Sequence, residues 1–177
     1  TPTTLVLFTQ TKKVLDNPAA ERGISVIFVP DLRWGRRDIK TVQLLYPSMA
    51  TMEAKSRGAD DAWLVQDGMV TEASSATSHI VTAEGVLITR DLSHSLLSGV
   101  TRASVLALAA EHGITVEERA FSPQEACSAR EAFITSATNF VVPVVRIEGD
   151  PVGDGRPGLL TRQLRRAYVQ TRRAAAI

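Results

Sequence analysis

The fold is limited first of all by a turn at Asp67-Gly68, which lies between two short runs rich in apolar residues. Residues 62–66 precede the turn and residues 69–72 follow it, and an Asp-Gly pair in this setting is a strong local signal for a β-hairpin. A second hairpin is predicted around Glu84-Gly85. Two antiparallel pairs of strands therefore provide the framework to which the rest of the chain is added.

Further strands and helices alternate around these hairpins. Strands are predicted at residues 24–29, 78–81, 86–89, 115–119, 131–135 and 141–147, with an opening strand within residues 1–8. Helices are predicted at residues 43–57, 101–112, 123–129 and 159–173, while residues 12–22 form a loop with at most a short helix. Thr101 is the predicted N-cap of the second of these helices. The first carries an apolar stripe made of Leu44, Leu45, Met49, Met52 and Ala54.

Composition excludes several classes of protein. The chain has 177 residues, 44% of them hydrophobic, which suits one globular domain with a sizeable core. Its formal net charge of +1 provides no overall field for nucleic acid or anionic lipid, and the six arginines from Arg156 onward are interpreted as a solvated helix face. No apolar run approaches the roughly 20 residues of a membrane span, so a cytoplasmic protein is expected.

Cysteine and histidine usage also narrows the chemistry. Cys127 is the single cysteine, so an internal disulfide is impossible, and this fits a reducing compartment. His79, His94 and His112 are widely separated, and no spacing typical of a metal site is present. No metal is expected.

The octet at residues 33–40 is the first candidate for chemistry. It places Lys40 behind three arginines and one aspartate, between a predicted strand and the first long helix. Neighbouring cations and partial burial lower the pKa of a lysine and free its nucleophilic neutral form, as a Schiff-base lysine requires. A solvated basic loop is the alternative interpretation, because charge runs usually lie at the surface.

Three more segments offer groups for one ligand. Glu72 ends a hairpin strand among small residues and would hold a heteroaromatic nitrogen protonated, although an exposed surface charge is an alternative. Gly99-Val100-Thr101 supplies free N–H groups and a helix dipole for a phosphate, or forms an ordinary cap. Ser136-Ala137-Thr138 brings two hydroxyls to a strand end, where a plain turn is the alternative.

The order and spacing of these segments resemble a known family. Residues 33–40, 70–75, 97–102 and 133–138 are similar to successive signatures of the fold-type IV, or class IV, pyridoxal-phosphate aminotransferases. The Asp38-Ile39-Lys40 form most resembles the D-amino acid aminotransferases. The resemblance implies an α/β fold, in which a mixed sheet or pseudo-barrel is flanked by helices and binds pyridoxal 5′-phosphate.

The resemblance also implies a role for each candidate residue. Lys40 would form the Schiff base with the cofactor and afterwards act as the acid and base that moves the substrate proton. Glu72 would pair with the pyridinium nitrogen. The remaining roles are ring packing by Leu97, backbone amides to the phosphate from Val100 and Thr101, supplementary phosphate contacts from Ser136 and Thr138, a position near the phosphate for Arg33, and a wall beside the cofactor that includes Ser75.

Two departures from the family pattern accompany the resemblance. After Ser75 the family continues with a small residue, Asn and later an aromatic residue, where this chain has Ala76-Thr77-Ser78 and His79. The family also has a small N-terminal domain that helps to bind phosphate and the substrate carboxylate, and we expect this domain to be absent from the chain. Residues 1–10 are therefore expected to form an interdomain linker and first strand, residues 11–177 the cofactor-binding large domain, and the chain alone is expected to have little activity.

The resulting hypothesis is a transaminase that moves an amino group from a D-amino acid to a 2-oxo acid. The resemblance implies a homodimer, possibly with a separate N-terminal polypeptide. Alternatives within the family are a branched-chain L-aminotransferase, an (R)-amine transaminase and an aminodeoxychorismate lyase. The alternative from another class is a non-catalytic fragment that retains the fold.

Overall fold

The structure is a computed structural model, and it describes residues 4–11 and 14–174. Its strands are β1 (Ile24–Pro30), β2 (Asp61–Gln66), β3 (Met69–Ala73), β4 (Thr77–Val81), β5 (Leu87–Thr89), β6 (Val116–Glu118), β7 (Glu131–Ser136), β8 (Phe140–Ile147) and β9 (Asp150–Pro151). Its helices are α1 (Pro18–Arg22), α2 (Leu45–Ser56), α3 (Val100–Glu111), α4 (Pro123–Cys127) and α5 (Leu159–Ala174). The predicted α/β class is confirmed.

All strands join one mixed sheet in the order β3-β2-β1-β8-β7-β4-β5-β6, with β9 paired to β8. β1 lies between β2 and β8 and is parallel to both, whereas β2–β3, β4–β5 and β7–β8 are antiparallel. Both predicted hairpins are confirmed. At the first turn, Asp67 has φ 52° and Gly68 has φ 75°, the left-handed pair that a two-residue hairpin turn requires.

Helices pack against the sheet and bury its apolar side chains. α2 packs on β1 and β2, where Ala50 and Ala54 contact a cluster that contains Ile27 and Leu64. α3 and α5 cover another part of the sheet, with Val105, Leu108, Leu164 and Tyr168 in one cluster with Phe133. A third cluster is built around Trp63, Phe121 and the neighbouring β-branched residues. The sheet is therefore the common wall of all three clusters.

Three predictions from sequence are wrong. Residues 4–8 form no strand, although the run is apolar, and residues 1–3 of that prediction lie outside the described part of the chain. Gly99, rather than Thr101, is the N-cap of α3, because the helix begins at Val100 and Thr101 lies within its first turn. The large residues of the apolar stripe of α2 do not face the core: Leu45 is 77% and Met52 69% exposed, whereas Ala54 of the stripe is buried beside Ala50.

Glu131 connects the sheet to the N-terminus of α5. Its buried carboxylate accepts hydrogen bonds from the backbone N–H groups of Leu160 and Thr161, at 3.1 and 2.8 Å, and from Thr161 Oγ1 at 2.8 Å. Gly158 lets the carboxylate come this close, since a Cβ at that position would lie 2.0 Å from the Glu131 carboxyl carbon. A side chain from β7 therefore satisfies donors that a helix N-terminus leaves unpaired.

We expect Glu131→Ala to lower the free energy of unfolding by about 2–4 kcal/mol, because three donors, two of them buried, lose their charged acceptor. Urea unfolding followed by circular dichroism measures the change. Glu117→Ala is the matched control, since Glu117 is exposed and its ion pair with Arg119 is worth at most about 1 kcal/mol. Equal stability of the two variants would contradict this role for Glu131.

Candidate active site

A single cavity of about 860 Å³ brings together the four segments singled out in the sequence. It lies between the loop that follows β1, the end of β3, the start of α3 and the end of β7. The residues expected to serve the site all line it: Arg33, Lys40, Glu72, Ser75, Leu97, Val100, Thr101, Ser136 and Thr138. Their shared location is established, while the role of each stays a prediction.

A chain of buried ion pairs forms one side of the cavity. Arg33 donates from Nη1 to Glu72 Oε2 at 2.7 Å and from Nη2 to Asp31 Oδ2 at 2.7 Å. The backbone N–H of Leu97 donates to the other oxygen of Glu72, Oε1, at 3.0 Å. Thr71 Oγ1 donates to Asp31 Oδ2 at 2.6 Å. Glu72 is therefore held in place from two directions by groups that are distant in sequence.

Burial and pairing act differently on the two carboxylates. Burial raises the pKa of Glu72 above its ordinary value, and the charge and hydrogen bond of Arg33 only partly oppose this. Burial also acts to raise the pKa of Asp31, but the hydrogen bonds from Arg33 and Thr71 and the charges of Arg33 and Arg37 outweigh it and lower that pKa. Asp31 therefore stays ionised more readily than an ordinary aspartate, whereas Glu72 binds a proton more readily than an ordinary glutamate does.

The N-terminus of α3 forms another side of the cavity. The N-cap residue of this helix is Gly99, and no side chain caps the helix. The backbone N–H groups of its first turn therefore have no capping side chain. Gly99 approaches β4 closely, because a Cβ there would lie 3.1 Å from Thr77 Oγ1. Thr101 is buried, with its hydroxyl 3.5 Å from Tyr168 Oη, whereas Val100 is exposed. Uncapped N–H groups and the dipole of a 12-residue helix favour an anion here.

Hydroxyl groups from two other elements face the same region. Ser136, at the end of β7, accepts a hydrogen bond from the backbone N–H of Asn139 at 3.2 Å, and Thr138 follows it in an exposed turn. Ser75 lies in the exposed turn between β3 and β4. These side chains increase the number of donors that the cavity offers to an oxygen-rich group.

The octet at 33–40 is arranged differently from the prediction. Lys40 lines the cavity, but it is exposed rather than partly buried. The arginines do not form a free cationic cluster around it. Arg33 pairs with carboxylates, Arg36 with the neighbouring Asp38, and Arg37 donates to Gln66 Oε1 at 2.6 Å. Each arginine therefore has a partner within the protein, and the uncapped backbone N–H groups that would favour an anion lie instead at α3.

Sequence reasoning missed Asp31 and Thr71, which hold Arg33 in position. Asp31 directly follows the last residue of a buried strand, where side chains reach the end of a sheet, and this position is the signal that could have identified it. Thr71 alternates with Glu72 along β3 and gave no separate signal. Both are buried.

His79 was noted only as a departure from the family pattern, and the structure gives it a defined place. It is fully buried, stacks on Phe133 with ring centroids 4.6 Å apart, and its Nε2 lies 3.0 Å from Thr135 Oγ1. Burial, with a smaller contribution from the charge of Arg102, lowers the pKa of His79 to about 3. The ring is therefore neutral near pH 7.

Residues 4–11 and 14–174 contain neither a metal-ligand cluster nor a helix suited to a membrane. Within them, no group of three or more histidine, cysteine, aspartate or glutamate side chains is arranged to hold a metal ion. Among the helices of the same residues, none has the length and apolar character needed to span a bilayer.

Comparison with known proteins identifies the family. The model of the amino-transferase class IV family matches residues 1–147. The chain belongs to the class IV aminotransferases. It is 40% identical over 147 residues to a D-alanine aminotransferase of Bacillus licheniformis, which covers 83% of this chain and 52% of that protein. A D-alanine aminotransferase of Listeria monocytogenes is 36% identical over 149 residues, or 84% of this chain and 51% of that protein.

Solved structures of class IV aminotransferases share the fold. The branched-chain amino acid aminotransferase of Thermobaculum terrenum in its PLP form has a TM-score of 0.78 and 28% identity, covering 88% of this chain and 53% of that one. The Escherichia coli branched-chain amino acid aminotransferase has a TM-score of 0.76 and 27% identity, covering 86% and 53%. The chain therefore spans about half the length of the relatives that it matches.

In this class IV aminotransferase chain, the buried neutral histidine should make folding acid-sensitive. The unfolded ring binds a proton near pH 6.5, whereas the folded ring does not until about pH 3, so the unfolded state binds the extra proton between these values. Stability should therefore fall as the pH falls, with His79 contributing about 1.4 kcal/mol per pH unit below 6.5. Urea unfolding from pH 7 to pH 4 measures the slope.

His79→Gln provides the comparison, because glutamine retains a donor for Thr135 and does not titrate. In this variant, the unfolding free energy should lose the part of its pH dependence that comes from His79. The part that comes from the carboxylates should remain. Identical pH slopes for the two proteins would show that the folded protein admits a proton at His79.

Proposed function

We propose that the cavity is the pyridoxal-phosphate site of a class IV aminotransferase, and that the whole protein moves an amino group from a D-amino acid to a 2-oxo acid. The observation that carries the proposal is the meeting of Lys40, Glu72 and the N-terminus of α3 around one cavity. These groups come from segments far apart in sequence, and each matches a different requirement of the same cofactor.

The chemistry of the donor set fits pyridoxal phosphate. The uncapped N-terminus of α3, with hydroxyls nearby, suits the phosphate. Glu72 is a buried carboxylate on another wall, and each of its oxygens accepts one hydrogen bond and has a further lone pair for a ring N–H. Lys40 supplies an amine at the cavity wall. The lining between them includes apolar residues such as Leu97 and Ala73, which suit a flat ring.

When bound, pyridoxal phosphate supplies an aldehyde that condenses with amines and a conjugated ring that accepts electrons from the adjacent carbon. Lys40 would hold the aldehyde end of the cofactor and then take up and return the proton of the substrate. Glu72 would keep a proton on the ring nitrogen through the negative charge of its carboxylate, which the charge and hydrogen bond of Arg33 favour against burial. Arg33, held by Asp31, would fix the orientation of that carboxylate.

Sequence identity supports a D-amino acid as the amino donor. The relatives named D-alanine aminotransferase reach 40% identity, whereas the branched-chain aminotransferase structures are 27–28% identical. A branched-chain L-aminotransferase is the second candidate, because those structures superimpose over most of this chain. An (R)-amine transaminase or aminodeoxychorismate lyase would use the same lysine, glutamate and phosphate site.

We also propose that this chain is the cofactor-binding large domain, with residues 1–10 as a linker, and that a further segment completes the site. Half the length of the relatives lies outside the match. The cavity wall from α2 supports the same proposal, since Leu44, Leu45 and Met49 are exposed there and would be covered by a second polypeptide segment. A homodimer is expected by analogy with the family.

Lys40→Ala provides the direct test of the cofactor site. The wild-type chain mixed with pyridoxal phosphate should gain a visible absorbance band that borohydride reduction converts into a stable mass increase on Lys40, since a primary amine bonds the aldehyde reversibly and reduction makes that bond permanent. Lys40→Ala should gain neither the band nor the added mass. Peptide mass spectrometry locates the modified residue.

Lys55→Ala is the matched control, because Lys55 is an exposed lysine of α2 outside the cavity lining. It should label as the wild type does. A wild-type chain without a band, or labelling that Lys55→Ala reduces as much as Lys40→Ala, would favour a non-catalytic fragment that retains the fold.

Substrate preference can be measured by supplying the segment that this chain does not match, taken from the Bacillus licheniformis D-alanine aminotransferase. The complex should transfer the amino group of D-alanine to 2-oxoglutarate, while the chain alone should show little activity.

In the same assay, Glu72→Ala should slow the transfer by roughly 100-fold or more, as loss of a preorganised charged group does in other enzymes. Faster reaction with L-leucine would favour the branched-chain alternative, and an unchanged rate in Glu72→Ala would exclude the proposed role of Glu72.

A further inference from the structure

Thr135 is a buried hydroxyl on the wall of the cavity whose only side-chain partner is a histidine. It is 2% exposed, lines the cavity from β7, and its Oγ1 lies 3.0 Å from His79 Nε2. Within residues 4–11 and 14–174, its side chain makes no second hydrogen bond. A buried hydroxyl both donates and accepts, so one of its two capacities is unused in the protein.

The surroundings of His79 decide which capacity is unused. His79 Nδ1 is buried and has no hydrogen-bond partner among the described residues. A buried N–H without an acceptor is rarer and costlier than an unpaired lone pair, so the ring hydrogen belongs on Nε2, where it donates to Thr135 Oγ1. The lowered pKa of His79 agrees with a neutral ring that carries a single hydrogen. Thr135 is thus the acceptor from His79, and its own O–H is left to donate.

The position of Thr135 indicates what that O–H would meet. On β4, Thr77 is its direct cross-strand partner, and Thr77 Oγ1 lies beside Gly99 at the N-terminus of α3. Thr77, Thr101 and Ser136 line the same cavity. The donor therefore faces the end of the cavity that already favours an anion.

We propose that His79 is a positioning residue that holds Thr135 as a hydrogen-bond donor to a phosphate oxygen of the bound cofactor. This inference rests on the proposed function, because it assumes that the phosphate lies at the N-terminus of α3. It assigns a role to a histidine that stands where the family pattern has an aromatic residue. It also adds Thr135 to the phosphate contacts expected from Thr101, Ser136 and Thr138.

The test compares pyridoxal phosphate with pyridoxal, which lacks the phosphate. The dissociation constants of both are measured by absorbance titration. The dissociation constant of pyridoxal divided by that of pyridoxal phosphate isolates the phosphate contribution, and this quotient is the ratio used below. Thr135→Val should weaken pyridoxal phosphate by about tenfold and leave pyridoxal unchanged, since one hydrogen bond to a charged oxygen is lost. Thr135→Ser, which retains the hydroxyl, should restore the ratio to near the wild-type value.

His79→Phe keeps the stacked ring but removes the donor to Thr135. It should reduce the ratio by about threefold, because a hydroxyl that accepts a hydrogen bond becomes a better donor. In the Thr135→Val background, His79→Phe should have no further effect. If Thr135→Val alone does not fold, the double variant serves as the test in its place. It replaces both polar partners with apolar groups, so no buried polar group is left unpaired.

Thr89→Val is the matched control: Thr89 is a buried threonine on the neighbouring β5 that donates to the Ser78 carbonyl and does not line the cavity. It should leave the ratio unchanged. If the wild type binds pyridoxal phosphate but Thr135→Val or the double variant keeps the wild-type ratio, the inference fails and the proposed function stands. If the wild type binds neither compound, both fail.

Nitrogen NMR of the ligand-free chain gives an independent measurement. The His79 ring should show a protonated Nε2 and an unprotonated Nδ1, and only three histidines need to be assigned. The opposite tautomer would overturn the inference, because Thr135 would then donate to His79 and offer no hydrogen to the cavity.

Discussion

The site depends on the buried chain of charges that runs from Asp31 through Arg33 to Glu72. A charge removed from water is tolerated only when it is paired and hydrogen-bonded, and each member here receives or provides at least two such contacts. The chain joins the end of β1 to β3, and the Leu97 amide extends it to the segment before α3. One electrostatic network therefore sets the relative positions of the cavity walls.

Two walls of the cavity offer opposite polarity to a ligand. Glu72 provides a carboxylate on one wall, whereas the N-terminus of α3 and its neighbouring hydroxyls provide donors on another. A ligand that is protonated at one edge and anionic at another fits such a cavity better than a uniformly charged ligand does. The fold achieves this with few charged side chains, since backbone N–H groups supply much of the anion-binding capacity.

Predictions from sequence succeeded where local chemistry determines the structure. The hairpin at Asp67-Gly68 follows from a turn that needs left-handed backbone angles, and the strand at β1 follows from its β-branched apolar run. The candidate site residues were found because their segments occur in a characteristic order, and the structure brings them to one cavity. The predicted opening strand failed, because an apolar run forms a strand only when another strand is available to pair with it.

The remaining errors concern partners that sequence does not name. Leu45 and Met52 have the spacing of an inward-facing stripe, but the side of α2 that packs on the sheet is the one that carries Ala50 and Ala54. The arginines of the octet looked like an anion site, but carboxylates from other elements or from the octet itself pair with them. Helix spacing and charge composition are local properties, whereas the identity of the facing surface is not.

By itself, then, the sequence determined the α/β class, the two hairpins, and the family to which the ordered set of motifs belongs, because turn geometry, hydrophobic period and motif order are properties of contiguous residues. Only the tertiary structure decided that Arg33 holds Glu72, that α2 turns its large apolar residues outward, and that His79 meets Thr135. Each of these depends on the sheet order and register, which bring β1 beside β2 and β4 beside β7. Contacts of that kind arise from packing across the sheet and leave no local pattern in the chain.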